Sequence, residues 1–359
     1  MNQLILYCRS GFENECAAEI QNQAGALGVY GYAKAKLGSA FVVFIAYESK
    51  AVLRLAGRLN FQHLVFARQL LMSPGLLNDL PVTDRVGPIL HALDGMAERV
   101  SAVWIETADT NEAKSLAPFC RKFKPLLRSA LKQSGQLDEH NPALPRLHLF
   151  FLSSTAVYPA LSLPGDASSP WVMGIPRLKL PRAAPSRSTL KLDEAIQHFL
   201  EPVEQAERFR PGMRAVDLGA APGGWSWQLV RRHLSVTAVD NGPMDANFMA
   251  SAMASGLIEH RCEDGFRYRP TRPVDWMVCD MVDKPSRVAR LAGEWLVRGD
   301  CRASIFNLKL PMKKRYAEVL RCRDIIARML AGRVYKLALK QLYHDREEVT
   351  GYLEARDMT

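Results

Sequence analysis

The chain has 359 residues, 48% of them hydrophobic and 23% charged, with 47 Lys and Arg against 37 Asp and Glu. That length is enough for two domains with separate cores, and the excess of ten positive charges favours an anionic partner, nucleic acid first. No apolar run approaches a membrane span, the opening stretch meets Glu13 and Glu15 too early for a secretory leader, and the seven cysteines and eight histidines form no CxxC, HxH or HExxH pattern. A membrane protein, a disulfide scaffold and a metal site are therefore not expected, and a cytoplasmic protein with reduced thiols is.

In chain order, LILYC predicts a strand, residues 14–21 a helix and FVVFIAY a second strand. VSAVWIETAD and RLHLFFLSS follow as strands, with residues 115–134 helical between them. This mixed order indicates an α+β region of ferredoxin-like type over residues 1–165. The next stretch, LPGDASSPWVMGIPRLKLPRAAPSRS, holds five prolines from Pro164 to Pro185 and reads as an extended Pro-rich linker over 166–187. Beyond it, RAVDLGA, SVTAVD, VDWMVCDM and ASIFNLKL are four near-continuous apolar strands, separated by helical stretches such as 284–298. Such alternation means an α/β fold with a parallel sheet covered on both faces, a Rossmann-like domain over 188–359. VYKLALKQLYHD and EEVTGYLEA close the chain as a terminal antiparallel pair.

The turn after the first of these strands reads DLGAAPGGW. It lacks the GxGxxG spacing of a dinucleotide site, it is not GxxxxGK[ST], and Pro222 removes an amide where a phosphate wants a donor. One strand later stands Asp240, an acid placed to accept hydrogen bonds from ribose hydroxyls. A nucleoside with a cationic rather than phosphorylated tail fits S-adenosylmethionine. Asp240 would take its ribose, Asp264 its adenine amino group, and the backbone of Gly219, Ala221, Pro222, Gly223 and Gly224 its methionine part.

The same loop, with SRSTLK before it, CDM after it and FNLKLP beyond, resembles ribose 2′-O-methyltransferases that carry a Lys-Asp-Lys-Glu tetrad. MGIPRLKLPRAAPSRSTLKL, VDNGPM, FNLKLPMKKRY and QLYHDREEVT, with LYCRSGFENECAAEI, FARQ and ADTNE, are similar to the ribosomal RNA large subunit methyltransferase M family over nearly the full chain. The resemblance implies 2′-O-methylation of a cytidine in the peptidyl-transferase loop of 23S rRNA. It also implies an N-terminal RNA-binding region with a THUMP domain, and Ser188 within the cofactor set; a monomer is expected. The residues support the chemistry separately. A ribose hydroxyl needs a proton acceptor, and Lys309 ends the fourth apolar strand. A free lysine, with a pKa of about 10.4, is no base at neutral pH, so burial or a second cation, Lys191, is expected to lower it. Asp280 would orient Lys309 near the methyl donor. An acid on the last strand completes the set; the family pattern, Glu directly before Val, selects Glu348, with Glu347 the open alternative.

For RNA, Arg121, Lys124, Arg128 and Lys132 recur at helical spacing along one face, although Pro125 interrupts that pattern. Lys313 and Lys314 follow Lys309 where a substrate strand must pass. Trp225 and Trp227 are expected to pack their helix onto the sheet. CDMVDKP stands where amino-group methyltransferases carry (Asn/Asp)-Pro-Pro-aromatic, which disfavours base-nitrogen chemistry. Two rivals stay open: an inactive RNA-binding or ribosome-assembly protein with a vestigial methyltransferase fold, and, disfavoured by Pro222, a nicotinamide oxidoreductase.

Overall fold

In the computed structural model, which describes residues 1–48 and 50–356, the chain divides into two units, Met1–Pro176 and Arg177–Thr359. The first opens with β1 (Gln3–Tyr7), α1 (Glu13–Ala26), β2 (Gly31–Ala35), β3 (Phe41–Ala46), α2 (Ala51–Ala56) and β4 (Gln69–Ser73). It continues with α3 (Val86–Asp94), β5 (Ala102–Thr107), α4 (Ala117–Gln133), β6 (Arg146–Ser153) and β7 (Ala156–Ser162). All seven strands form one sheet, in the order β2-β3-β1-β4-β7-β6-β5. The first four are antiparallel neighbours in ferredoxin-like order.

Strands β2, β4 and β7 were not legible as strands. β2 reads GYAKA and buries none of its residues, so it carries no apolar signal. β4 is buried at every residue and shows no alternation. β7 contains Pro159, which lacks an N–H, yet its carbonyl accepts Ser73 Oγ at 2.7 Å. α4 runs unbroken through Pro125, because Phe123, Leu127 and Leu131, all buried at i, i+4 and i+8, anchor it on both sides of the proline.

The proline-rich stretch does not span freely over its whole expected length. Ser168 and Ser169 are buried, and Gln69 clasps Ser169 with its amide, accepting from Ser169 N at 3.0 Å and donating to its carbonyl at 3.3 Å. Met173 N donates to Glu106 Oε1 at 2.5 Å. Glu106 also meets His148 Nδ1 at 2.7 Å and the Tyr7 hydroxyl at 2.8 Å, while His148 Nε2 lies 2.9 Å from Ser162 Oγ. Burial pushes the Glu106 carboxyl up, but His148 and these donors outweigh it and hold it down. Serine, histidine and glutamate thus stand in the order of a hydrolase triad. All three are at most 2% exposed, so no substrate reaches them and they clamp strands and strap together.

In the second unit, α5 (Thr189–Phe199) and α6 (Pro202–Arg208) precede β8 (Arg214–Leu218), α7 (Gly224–Val230), β9 (Ser235–Val239), α8 (Ala246–Ala254) and β10 (Ile258–Arg261). Then come β11 (Val274–Cys279), α9 (Pro285–Arg298), β12 (Cys301–Lys309), α10 (Arg315–Met329), β13 (Tyr335–Lys340) and β14 (Glu348–Ala355). The sheet order is β10-β9-β8-β11-β12-β14-β13, parallel except for β14. This is the Rossmann-like arrangement the sequence implies, with the order reversing beside β8, where ligands bind at the carboxyl ends of strands. Trp225, 2% exposed, packs α7 onto the sheet as expected, against a core that includes Leu192, Ile196, Leu229 and Val278.

Gly174 supplies the strap's tightest contact. Its φ is +68°, and a Cβ there would lie 1.9 Å from the Arg68 carbonyl oxygen. Gly174→Ala is expected to destabilise the first unit by about 2–4 kcal/mol, combining left-handed strain with a backbone clash; urea unfolding monitored by tryptophan fluorescence measures it.

Candidate active site

Most candidate catalytic and cofactor residues of the second unit lie at the carboxyl ends of the parallel strands or in the segments that follow them, while Ser188 and Lys191 come from the start of α5 and Glu348 from the start of β14. β8 ends at Leu218 and the chain turns at Gly219, φ +79°. A Cβ at Gly219 would lie 2.7 Å from Met281 Cγ, and one at Gly224 would lie 2.1 Å from Ser188 Oγ. Glycine at these two positions lets the segment after β11 and the residues ahead of α5 close on the turn.

Asp240 directly follows β9 and faces the turn: Oδ2 accepts Ala221 N at 3.0 Å and Oδ1 accepts Gly242 N at 2.7 Å. A cavity of about 350 Å³ lies beside it, lined among others by Asp264, Gly265, Phe266 and Met281. A second, of about 230 Å³, is lined by Ser186, Ser188, Pro222 and Trp225, and both share Gly219, Ala221 and Asp280. One lobe thus offers carboxylates and an aromatic ring and the other hydroxyls and backbone amides. That donor set fits the nucleoside and amino-acid ends of S-adenosylmethionine, with Asp280 at the junction. Asp264 Oδ1 already accepts Phe266 N at 2.9 Å.

Asp217, to which the sequence assigns no role, is fully buried and accepts Ser226 Oγ at 2.7 Å through Oδ2. Burial pushes its carboxyl up to about 7, with the charges of Asp280 and Asp240 adding to the shift.

The tetrad residues converge. Asp280 follows β11, Lys309 ends the neighbouring β12, and Glu348 opens β14 directly opposite Lys309 in the antiparallel register. Lys309 Nζ donates to Asp280 Oδ1 at 2.5 Å and to Glu348 Oε2. Lys191, in the first turn of α5, reaches Asp280 Oδ2 at 3.4 Å and pairs with Glu348 Oε1. Glu347 is 62% exposed on its side chain and pairs with Arg315 at 2.7 Å, so the geometry brings Glu348 to the cluster and leaves Glu347 outside it.

One expectation is corrected. Burial does push the Lys309 amine down, but the charges of Asp280 and Glu348 outweigh it and hold the pKa above that of a free lysine. The second cation, Lys191, is itself paired with the same acids. Lys309 is therefore an ammonium ion in the protein as it stands.

Behind the cluster lies a hydrogen-bonded chain that sequence reading missed. Strand alternation puts Asn307 on the face of Lys309, and Thr350, opposite Asn307, on the face of Glu348. Asn307 Nδ2 donates to Asp280 Oδ1 at 2.9 Å, and Thr350 Oγ1 donates to Asn307 Oδ1 at 2.7 Å. Asp345, buried, sits 2.9 Å from Thr350 Oγ1 and accepts Leu342 N at 2.9 Å. Burial, with Glu348 and Glu194 nearby, pushes its carboxyl well up. Glu194, three residues after Lys191 on α5, fixes the connecting loop by accepting Tyr343 N at 2.7 Å and His344 N at 2.8 Å. The period-two spacing of Asn307 with Lys309 and of Glu348 with Thr350 is the signal that marks these partners.

The expected RNA-binding residues divide. Arg121 and Lys124 are exposed on α4, whereas Arg128 binds Glu139 through Nε and Nη2, and Lys132 lies 3.1 Å from the same acid. Those two cations hold the Glu139 carboxyl down to about 2. The helix face is thus partly neutralised. In the second unit Lys313 and Lys314 are exposed just beyond Lys309. Among the described residues no cluster of metal-ligating side chains occurs and no helix is long and apolar enough to cross a membrane.

Comparison with known proteins covers both units. Residues 1–71 match the RlmM ferredoxin-like domain, residues 84–163 match ribosomal RNA large subunit methyltransferase M, N-terminal, and residues 184–298 match FtsJ-like methyltransferase. Ribosomal RNA large subunit methyltransferase M of Methylococcus capsulatus is 55% identical over 98% of both chains. Its counterpart in Cellvibrio japonicus is 53% identical over 98% of this chain and 99% of that one, and the Klebsiella pneumoniae protein 50% identical over 98% and 95%.

Asp217 carries a test of the site's electrostatics. Its folded pKa is raised from about 4 to about 7, so the folded state holds a proton that the unfolded chain releases. The stability it contributes is full below pH 4 and lost as pH rises to 7, roughly 4 kcal/mol in all. Asp217→Asn should therefore gain about that much relative to the parent chain between pH 4 and pH 7, read by urea denaturation at the two values; a constant difference would remove the shift.

Proposed function

The chain belongs to the ribosomal RNA large subunit methyltransferase M family, and on that premise we propose that it methylates the ribose 2′-hydroxyl of a cytidine in the peptidyl-transferase loop of 23S rRNA. It is an S-adenosylmethionine-dependent rRNA methyltransferase. The observation that carries the finer reading is the Lys191–Asp280–Lys309–Glu348 cluster beside two cavities that share Gly219, Ala221 and Asp280 in their walls. A ribose hydroxyl is a poor nucleophile and needs its proton taken, whereas an exocyclic amine would need aromatic and backbone contacts instead.

S-adenosylmethionine supplies a methyl group on a positively charged sulfur. Asp240 and Asp264 hold its nucleoside end, and Ser188 with the Gly219, Ala221, Pro222, Gly223 and Gly224 backbone its amino-acid end. Asp280 and Glu348 fix Lys309 Nζ from two sides, so the amine points at one place. Lys309 accepts the proton of the 2′-hydroxyl as the oxygen gains its methyl group. Lys191 keeps the charge balance of two cations against two anions and offers a cation to the substrate's phosphate or hydroxyl. The raised pKa of Lys309 has a direct consequence: at neutral pH only a small fraction is the free amine that can accept a proton. Lys313 and Lys314 carry the strand that leads away from the site.

Tritiated methyl transfer to unmodified 23S rRNA, with reverse-transcription stops mapped at low nucleotide concentration, tests the reaction; one new stop at a cytidine is expected, and label on a base would overturn it. Lys309→Ala should lower kcat about a hundred- to ten-thousand-fold with cofactor affinity unchanged. The log of the single-turnover rate should rise with a slope near one from pH 7 into the alkaline range, as Lys309 loses its proton. Glu348→Gln removes an anion that stabilises the ammonium, so the rise should level off at lower pH even as the maximal rate falls. A pH-independent rate in the parent chain would rule out Lys309 as the acceptor.

A further inference from the structure

The hairpin at the free edge of the first sheet carries a stripe that neither the fold nor the catalytic site uses. Residues 30–36 read YGYAKAK, and β2 within them is the outermost strand of the order. Alternation in β2 puts Tyr32 and Lys34 on one face and the small residues Gly31, Ala33 and Ala35 on the other, with Tyr30 and Lys36 flanking the strand at the same two-residue spacing. All four large side chains are exposed, Tyr30 by 70% and Tyr32 by 40%. Tyr47, 72% exposed, joins them from the end of β3: its amide donates to the Tyr30 carbonyl at 3.0 Å and its ring centroid is 6.2 Å from that of Tyr32. Lys34 Nζ lies 5.8 Å from the Tyr32 ring centroid. The acid nearest in sequence, Glu48, is taken by Arg54 at 2.8 Å.

Lysines are one device that protects an edge strand from pairing with other chains. Exposed tyrosines work against that protection, so they point to a ligand. Rings about 6.6 Å apart along a strand, continued by cations on the same face, match a nucleic-acid strand whose bases stack while its phosphates meet the ammonium groups. Duplex RNA keeps its bases stacked internally and cannot use the rings. We propose that the Tyr30–Tyr32–Tyr47 cluster with Lys34 and Lys36 is a stacking platform for unpaired bases of RNA. The choice of RNA rests on the rRNA methyltransferase reading above. The platform takes over a part of the RNA binding that the sequence assigns to α4, where Glu139 occupies two of the four cations.

The test uses the full chain, a twelve-nucleotide oligouridylate and an RNA duplex of equal length, with binding read by fluorescence anisotropy. Tyr30→Ala and Tyr32→Ala should each weaken oligouridylate binding at least about fivefold, while Tyr30→Phe and Tyr32→Phe keep it, since the ring and not the hydroxyl stacks. Lys34→Gln with Lys36→Gln should reduce the slope of log affinity against log salt by about 1.4. Binding to the duplex should be weaker and insensitive to the tyrosines. On unmodified 23S rRNA the alanine variants should raise KM and leave kcat intact. Unchanged oligouridylate affinity in the double tyrosine-to-alanine variant, or an equal loss with the duplex, would overturn the platform. Failure of the catalytic reading looks different: the parent chain would transfer no methyl group to a ribose while the tyrosine-dependent binding persisted.

Discussion

The site depends on one pairing register. β14 runs antiparallel between β12 and β13, and its register sets Glu348 opposite Lys309 and Thr350 opposite Asn307. Because side chains alternate along a strand, a slip of β14 by one residue would turn Glu348 away from Lys309 and bring Glu347, now on the surface, into line. The register is held from outside the sheet as well. Glu194 and Asp345 secure the loop that feeds β14, and α5 carries both Glu194 and Lys191. The same helix therefore supplies a member of the cluster and the clamp that positions another.

Electrostatics then sets the terms of the chemistry. Two lysines and two acids sit within ion-pair distance, and the acids hold Lys309 as an ammonium against the pull of burial. A carboxylate pair that orients an amine also raises its pKa, so positioning and basicity oppose each other here. In the proposed reaction the protein keeps the orientation at the cost of a small fraction of free base. Behind them, Asp345, Thr350 and Asn307 form a run of hydrogen-bonded side chains that ends on Asp280. Asp217, close enough to feel Asp280 and Asp240, belongs to the same field.

The first unit shows how poorly sequence pattern ranks charge on a surface. α4 presents four basic residues in a row, which makes it the natural place to expect phosphate, yet an acid from the following loop folds back on two of them. β2 has no apolar periodicity and was invisible as a strand, although its alternation of tyrosine and lysine becomes a face once β3 pairs with it. Gln69 and Glu106 likewise explain why the proline-rich stretch is strapped to the sheet up to Pro176, since the partners that hold it lie far away in the chain.

By itself the sequence determined the class of each half, the glycine turn with its acid one strand later, and the four residue types of the tetrad. These are local properties: apolar runs, turn chemistry and motif spacing are written in neighbouring residues. The raised pKa of Lys309, the support through Asn307, Thr350 and Asp345, and the neutralised face of α4 were decided only by the tertiary structure, which also sets Glu348 in the cluster and Glu347 outside it. Each depends on charges or donors brought within a few ångströms from distant parts of the chain. Coulomb and desolvation energies change most steeply at that range, and spacing along a sequence does not measure it.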